Sequence, residues 1–129
     1  QSTSNPSSIS QAAAVEALNG KQGFIKKRSK AFKLRRDFVV KSLNSIKGIS
    51  CLKPNGAFYV FPSCKGLLND KTRLKNDTDF VQTLLERSNV AVVQGSAFGL
   101  DGYFRISYAT SMKNLRKAMD RIKYFCESL

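Results

Sequence analysis

Apolar residues recur at helical spacing over much of this chain and alternate with polar ones in short runs. Ile9 to Asn19 is built from good helix formers, with cap and turn residues at Ser4-Asn5-Pro6-Ser7-Ser8 before it and Asn19-Gly20 after it. Lys21 to Ile46 reads as a second, long helix. Phe24/Ile25, Ala31/Phe32, Phe38/Val39, Leu43 and Ile46 form its apolar stripe. Gly48 ends it. Ile49 to Leu52 and Ala57 to Phe61 then read as two strands joined by a hairpin-type turn at Pro54-Asn55-Gly56, with Pro62 stopping the second. Ser63 to Asn76 is a polar loop that Leu67 and Leu68 can pin down. Asp77-Thr78-Asp79 caps a helix whose buried side is Phe80, Val81, Leu84 and Leu85. Ala91-Val92-Val93 is a buried strand, Gly95 to Gly102 a turn, and Tyr103 to Tyr108 a further strand. Thr110-Ser111 caps a last helix with Met112, Leu115, Ala118/Met119, Ile122 and Phe125/Cys126 on one face. This order predicts an α/β fold of α+β-like kind: a small mixed or antiparallel sheet covered by helices in two layers.

Composition narrows the function. At 129 residues the chain is long enough for one compact domain, or is a piece of something larger. Its opening, Gln1-Ser-Thr-Ser without an initiator Met, is expected to lie within a longer protein. No apolar run approaches a membrane span and no signal peptide is visible. Histidine is absent, and Cys51, Cys64 and Cys126 have no CxxC spacing. That argues against a metal site, a disulfide framework and the usual Ser-His or Cys-His nucleophile pairs, and fits a reducing cytosol. The net charge of +13 invites a nucleic-acid reading. Ten of the 22 basic residues lie between Lys21 and Lys47, mostly outside the apolar stripe, so a solvated outer helix face accounts for them. No nucleic-acid module is recognisable, and the neighbouring aromatics lie on the stripe.

One residue breaks the pattern. Side chains alternate along a strand, so Phe104, Ile106 and Tyr108 form a core face while Tyr103, Arg105 and Ser107 face the other way. Arginine presents a rigid, permanently charged fork that matches a carboxylate. Its partner is either an Asp or Glu of the same domain or a carboxylate-bearing substrate, and the residues alone leave both open. No acid–base pair, P-loop or metal cluster offers itself.

Four stretches resemble the C-terminal portion of the class I, fold type I pyridoxal-phosphate aminotransferases, and most closely the bacterial aspartate aminotransferases of the subgroup that also contains prephenate-using enzymes. They are Ser2-Thr-Ser-Asn-Pro6 leading into SSISQAAAVEAL, Pro54 to Tyr59, VAVVQGSAFG at Val90 to Gly99, and YFRISYATS at Tyr103 to Ser111. The resemblance covers essentially the whole chain in order. It implies that residues 1–20 end the large cofactor-binding domain, and that residues 21–129 form the small C-terminal domain that closes on substrate, with its long connecting helix. It also implies that Arg105 binds the substrate α-carboxylate, that Gly95 borders the substrate side, and that Gly56 lies on a hairpin lining the entrance. The loop Gln1 to Pro6 would approach the active site across a homodimer interface. Gln94 stands where relatives usually have Pro.

The family's Schiff-base lysine and phosphate-binding residues have no counterpart in this sequence, so no catalytic residue is expected here and pyridoxal 5'-phosphate would be held mainly by upstream residues. The implied whole enzyme is cytoplasmic and acts on amino acids and 2-oxo acids, with no nucleic-acid or membrane partner. Aspartate with 2-oxoglutarate is the expected pair. Kynurenine, aromatic or alanine aminotransferases and carbon–sulfur lyases are the alternatives, and a stand-alone basic module a more distant one. A piece of such an enzyme should expose an apolar patch where the rest of it is missing.

Overall fold

The computed structural model describes residues 4–129. These fall into two compact units, the first ending at Ala31 and the second running Phe32–Leu129.

The first unit carries α1, Ser8–Asn19, and the start of α2, Gly23–Asn44. Gly20 follows α1 as expected, but in an extended conformation (φ −77°) rather than as a left-handed cap. The side chain of Gln22 does the capping instead, donating to the carbonyls of Ala17 at 2.9 Å and Leu18 at 3.1 Å. Every residue of α1 is exposed except for the partly covered Gly20 that follows it, and Ile9, Val15, Leu18, Phe24 and Ile25 all face solvent.

The second unit holds a core. Its sheet has three strands in the order β1-β3-β2, all antiparallel: β1 is Tyr59–Val60, β2 Val93–Gln94 and β3 Phe104–Ser107. The β1–β3 ladder reaches further than β1 itself. Tyr108 N–H donates to Phe58 O at 2.8 Å, Phe104 N–H to Pro62 O at 3.0 Å, and Ser63 bridges Tyr103 in the same register. The expected strand 57–61 is therefore present as a pairing. The expected strand 49–52 is reduced to a single bridge at Ser50. The cause is Asn44. Its side-chain amide donates to Cys51 O at 2.9 Å and accepts from Cys51 N–H at 2.8 Å, taking the place of a strand partner. It also ends α2 two residues before the predicted Ile46.

Two further helices complete the fold: α3, Asp77–Ser88, and α4, Met112–Glu127. Ser111 caps α4 as predicted, accepting from Asn114 N–H at 3.1 Å. Asn76 rather than Asp77-Thr78-Asp79 caps α3, accepting from Asp79 N–H at 2.9 Å while Asp79 accepts from Lys75 N–H. Phe80 of α3 joins the layers, its ring 5.0 Å from Phe104 of β3 and 5.7 Å from Phe125 of α4. Val39 and Leu43 of α2, Val60, Ile106, Leu115 and Ile122 pack into the same core. The loop after β1 is pinned by Leu67 as expected, and also by Leu74.

Candidate functional site

Along β3 the burial alternates as its sequence predicts. Phe104, Ile106 and Tyr108 are buried; Tyr103 and Arg105 are half-buried and Ser107 is exposed. Strand pairing decides what stands beside Arg105. Val93 of β2 is its direct partner, Tyr59 of β1 lies opposite Ser107 on the same face, and the ladder's register sets Phe61 across from Arg105. The guanidinium carbon is 5.4 Å from the centroid of the Tyr59 ring. It is 4.4 Å from that of Phe98, which comes from a 3-10 turn at Gly95–Phe98. Phe61 meets Phe98 edge-on at 6.0 Å and stacks on Tyr103 at 5.7 Å. The Lys65 ammonium lies 5.0 Å over the outer ring, Tyr103.

Among the described residues no carboxylate lies within ion-pair distance of Arg105; the pairs that form are Arg36–Asp37, Lys53–Asp37 and Lys123–Glu127. The fork is therefore held by aromatic faces, and its hydrogen-bonding capacity is left for an anion.

The turn beside it is fixed from several sides. Gly95 N–H donates to Tyr103 O at 2.7 Å, Leu100 N–H to Gly95 O at 3.1 Å and Gly99 N–H to Ser96 O at 3.0 Å. Gly95 is buried: a Cβ there would run into the Leu100 carbonyl oxygen and come within 2.8 Å of Tyr103 Cβ. Gly99 closes the turn at φ 76°, which a side chain rarely adopts. Asp77, 1% exposed, accepts from Ser96 N–H at 2.7 Å. Burial pushes the Asp77 carboxyl up, but hydrogen bonding from the Ser96 backbone and side chain, and then from the backbones of Asp77 and Gly102, outweighs it and holds it below the usual carboxylate value.

On the other flank lies the Pro54-Asn55-Gly56 turn. Arg36 of α2 donates to Pro54 O at 3.1 Å and pairs with Asp37 at 2.9 Å, and Asp37 also binds Lys53 at 2.9 Å. Hydrogen bonds from Lys53 and then Arg36 hold the Asp37 carboxyl below its ordinary value. Gly56 is exposed and a Cβ there would meet open space. The left-handed residue of this turn is Ala57 (φ 62°), whose carbonyl accepts from the buried Tyr108 hydroxyl at 3.0 Å.

The structure thus sets Arg105 between Tyr59 and Phe98, with Gly95 behind the turn that carries Phe98 and Gly56 on the outer turn. Residues Gln1 to Thr3 of the opening loop lie outside the described residues. Sequence reasoning missed Phe98, because it sits in a turn with no periodicity, and Asp77, because an acid at the start of a helix passes for a cap. Every lysine among the described residues is exposed. Among them no group of three or more His, Cys, Asp and Glu could hold a metal ion, and no helix is long and apolar enough to cross a membrane.

Comparison with known proteins matches residues 1–122 to the family model of aminotransferase class I and II. The aspartate aminotransferase of Rhizobium meliloti (strain 1021) is 56% identical across 100% of this chain and 32% of its own length. The probable aspartate/prephenate aminotransferase of Rhizobium leguminosarum bv. phaseoli is 56% identical across 98% of the chain and 32% of its own. The crystal structure of the Rhizobium meliloti aspartate aminotransferase superposes with a TM-score of 0.91 at 55% identity, over 98% of this chain and 33% of that one. The chain therefore spans about a third of the length of the relatives it matches.

Proposed function

The chain belongs to the class I and II aminotransferases, and we propose that it is the C-terminal portion of a pyridoxal-phosphate-dependent aspartate aminotransferase that passes the amino group of aspartate to 2-oxoglutarate. In this reading residues 1–20 end the large domain, residues 21–129 form the small substrate-closing domain, and the whole enzyme works as a cytoplasmic homodimer. The observation that carries the reading is Arg105, half-buried on β3, braced by Phe98 and Tyr59 and without a carboxylate partner among the described residues. The names of the relatives, aspartate and probable aspartate/prephenate aminotransferases, supply the choice of substrate.

The residues described here fit the substrate end of such a site and not its cofactor end. No lysine among them is buried. Pyridoxal phosphate supplies an electron sink for reactions at the amino acid's α-carbon. What this chain supplies is orientation. Arg105 grips the α-carboxylate through two parallel hydrogen bonds, so the α-carbon is presented in one pose. The aromatic rings beside the fork hold the guanidinium in place for that pairing. In this reading Gly95, in the turn that carries Phe98, borders the substrate side and Gly56 lies at the entrance, and the exposed apolar residues of the first unit would be covered by the remainder of the enzyme.

The test uses the full-length protein. Its visible spectrum is recorded before and after adding L-aspartate without a keto acid. Loss of the visible cofactor band supports the reading. A bound chromophore that ignores aspartate would move the substrate elsewhere, and absence of a chromophore would overturn the cofactor assignment.

A further inference from the structure

We propose that Asp77 is a positioning residue for substrate binding: through Ser96 it sets the height of Phe98, and through Phe98 the direction of the Arg105 fork. This rests on the reading of Arg105 given above.

Asp77 is the buried charged residue of the described chain, at 1% exposure. Its place at the start of α3 does not account for it, because Asn76 supplies the cap and Asp79 the reciprocal bond. A buried carboxylate without a cationic partner is costly unless its hydrogen bonds are good. The Asp77 carboxylate reaches out of its own helix to the N–H of Ser96, 2.7 Å away and 19 residues on. Two residues later Phe98 stands 4.4 Å from the guanidinium carbon. The turn that carries both residues is held in shape: Gly95, Gly99 and Leu100 are each tied by a backbone hydrogen bond, and a Cβ added at Gly95 would come within 2.8 Å of Tyr103 Cβ. Phe98 also meets Phe61 in a T-shaped contact at 6.0 Å. The buried carboxylate thus ties the turn that carries the bracing ring to α3.

The experiment compares Asp77→Ala, Asp77→Asn, Phe98→Leu and Arg105→Lys in the full-length holoenzyme, and Asp77→Ala combined with Phe98→Leu. Initial rates give KM for the amino acid and kcat, and thermal melting reports stability. Asparagine keeps an acceptor for Ser96 N–H, whereas alanine does not. We expect Asp77→Ala to raise KM about tenfold and Asp77→Asn about threefold, with kcat changed less than about twofold. In the Phe98→Leu background the effect of Asp77→Ala should shrink to less than about twofold, because its route to the arginine is gone. A merely structural aspartate would lower the melting temperature and the active fraction while leaving KM alone, and that result overturns the proposal. Equal effects in both backgrounds overturn it as well. Should Asp77→Ala fail to fold, an unchanged KM in Asp77→Asn does the same. Arg105→Lys separates the two levels of the argument. An unchanged KM there removes the carboxylate role of Arg105 itself, whereas a raised KM there with none in the Asp77 variants removes only the present inference.

Discussion

A guanidinium that faces rings on two sides and no carboxylate is only partly compensated. Cation–π contacts of this kind contribute about 0.5–2 kcal/mol each, less than the desolvated bidentate pair that a bound carboxylate would complete. Arg105→Ala in the full-length enzyme should therefore raise KM for the amino acid about 100-fold while lowering the melting temperature only modestly, since two cation–π contacts but no ion pair are lost within the described chain. Steady-state kinetics beside a melting curve test both halves, and an unaltered KM would remove the arginine from the substrate. Gly95→Ala should behave in the opposite way. Its Cβ meets the Leu100 carbonyl and Tyr103, so overpacking should cost about 1–3 kcal/mol in urea unfolding. At this scale the sequence was readable where side-chain alternation rules. The period of two along Tyr103–Tyr108 separated Arg105 from the core. The two residues that complete its surroundings were not readable that way, because Phe98 arrives from a 3-10 turn and Asp77 acts across 19 residues.

Elements follow their patterns until a side chain competes with the backbone. Leu43 and Val39 bury as the stripe of α2 requires, whereas Asn44 leaves the helix pattern to pair with Cys51 and so replaces the predicted strand 49–52 by one bridge. No periodicity signals such a bond. Asn89 is similar: it ends α3 in the left-handed conformation at φ 51°, a role open to asparagine but not marked by the surrounding residues. Gln94 gives a test at this scale. It sits at φ −62° and ψ 144°, within the range of proline, and Val93 before it lies in a strand, as a residue preceding proline should. Gly95 N–H bonds to Tyr103 O, so the alternation of an antiparallel ladder puts Gln94 at a position whose N–H points away from β3. Gln94→Pro should accordingly stabilise the fold by about 0.4–1 kcal/mol, mainly by restricting the unfolded chain. Urea unfolding would show a higher midpoint at constant slope; a fall would mean that the Gln94 N–H has a partner after all.

At the scale of the whole molecule, the two units differ in what they can do alone. The second has a core of buried aliphatic and aromatic side chains, whereas the first has exposed apolar residues and, among its described residues, none that is buried. The excess positive charge sits largely where it was expected, on solvent-facing positions such as Lys26, Lys27, Lys30, Lys33 and Lys41. Arg35 and Arg36 are the departures, both half-buried, and Arg36 is tied to Asp37 and Pro54. The core also contains all three thiols, free and buried. Burial pushes Cys51 up to about 11 and Cys64 and Cys126 to about 12. In the unfolded chain a thiol ionises near pH ~8.5. Between that value and the folded one, the unfolded state has released protons that the folded state still binds. Stability is therefore fully present below the unfolded value and falls as pH rises, by up to about 1.4 kcal/mol per pH unit for each thiol. Tyr108, whose hydroxyl burial also raises, adds a loss of the same sign at still higher pH. Urea unfolding of the 129-residue chain at pH 8, 9 and 10 should give a midpoint that drops with increasing steepness, and Cys126→Ala should flatten the drop even though it lowers the starting stability. The same protonated thiols should resist alkylation at pH 8 in the folded chain and react only once it is unfolded. A midpoint independent of pH across this window, or rapid alkylation without unfolding, would mean that the thiols are not enclosed by the core.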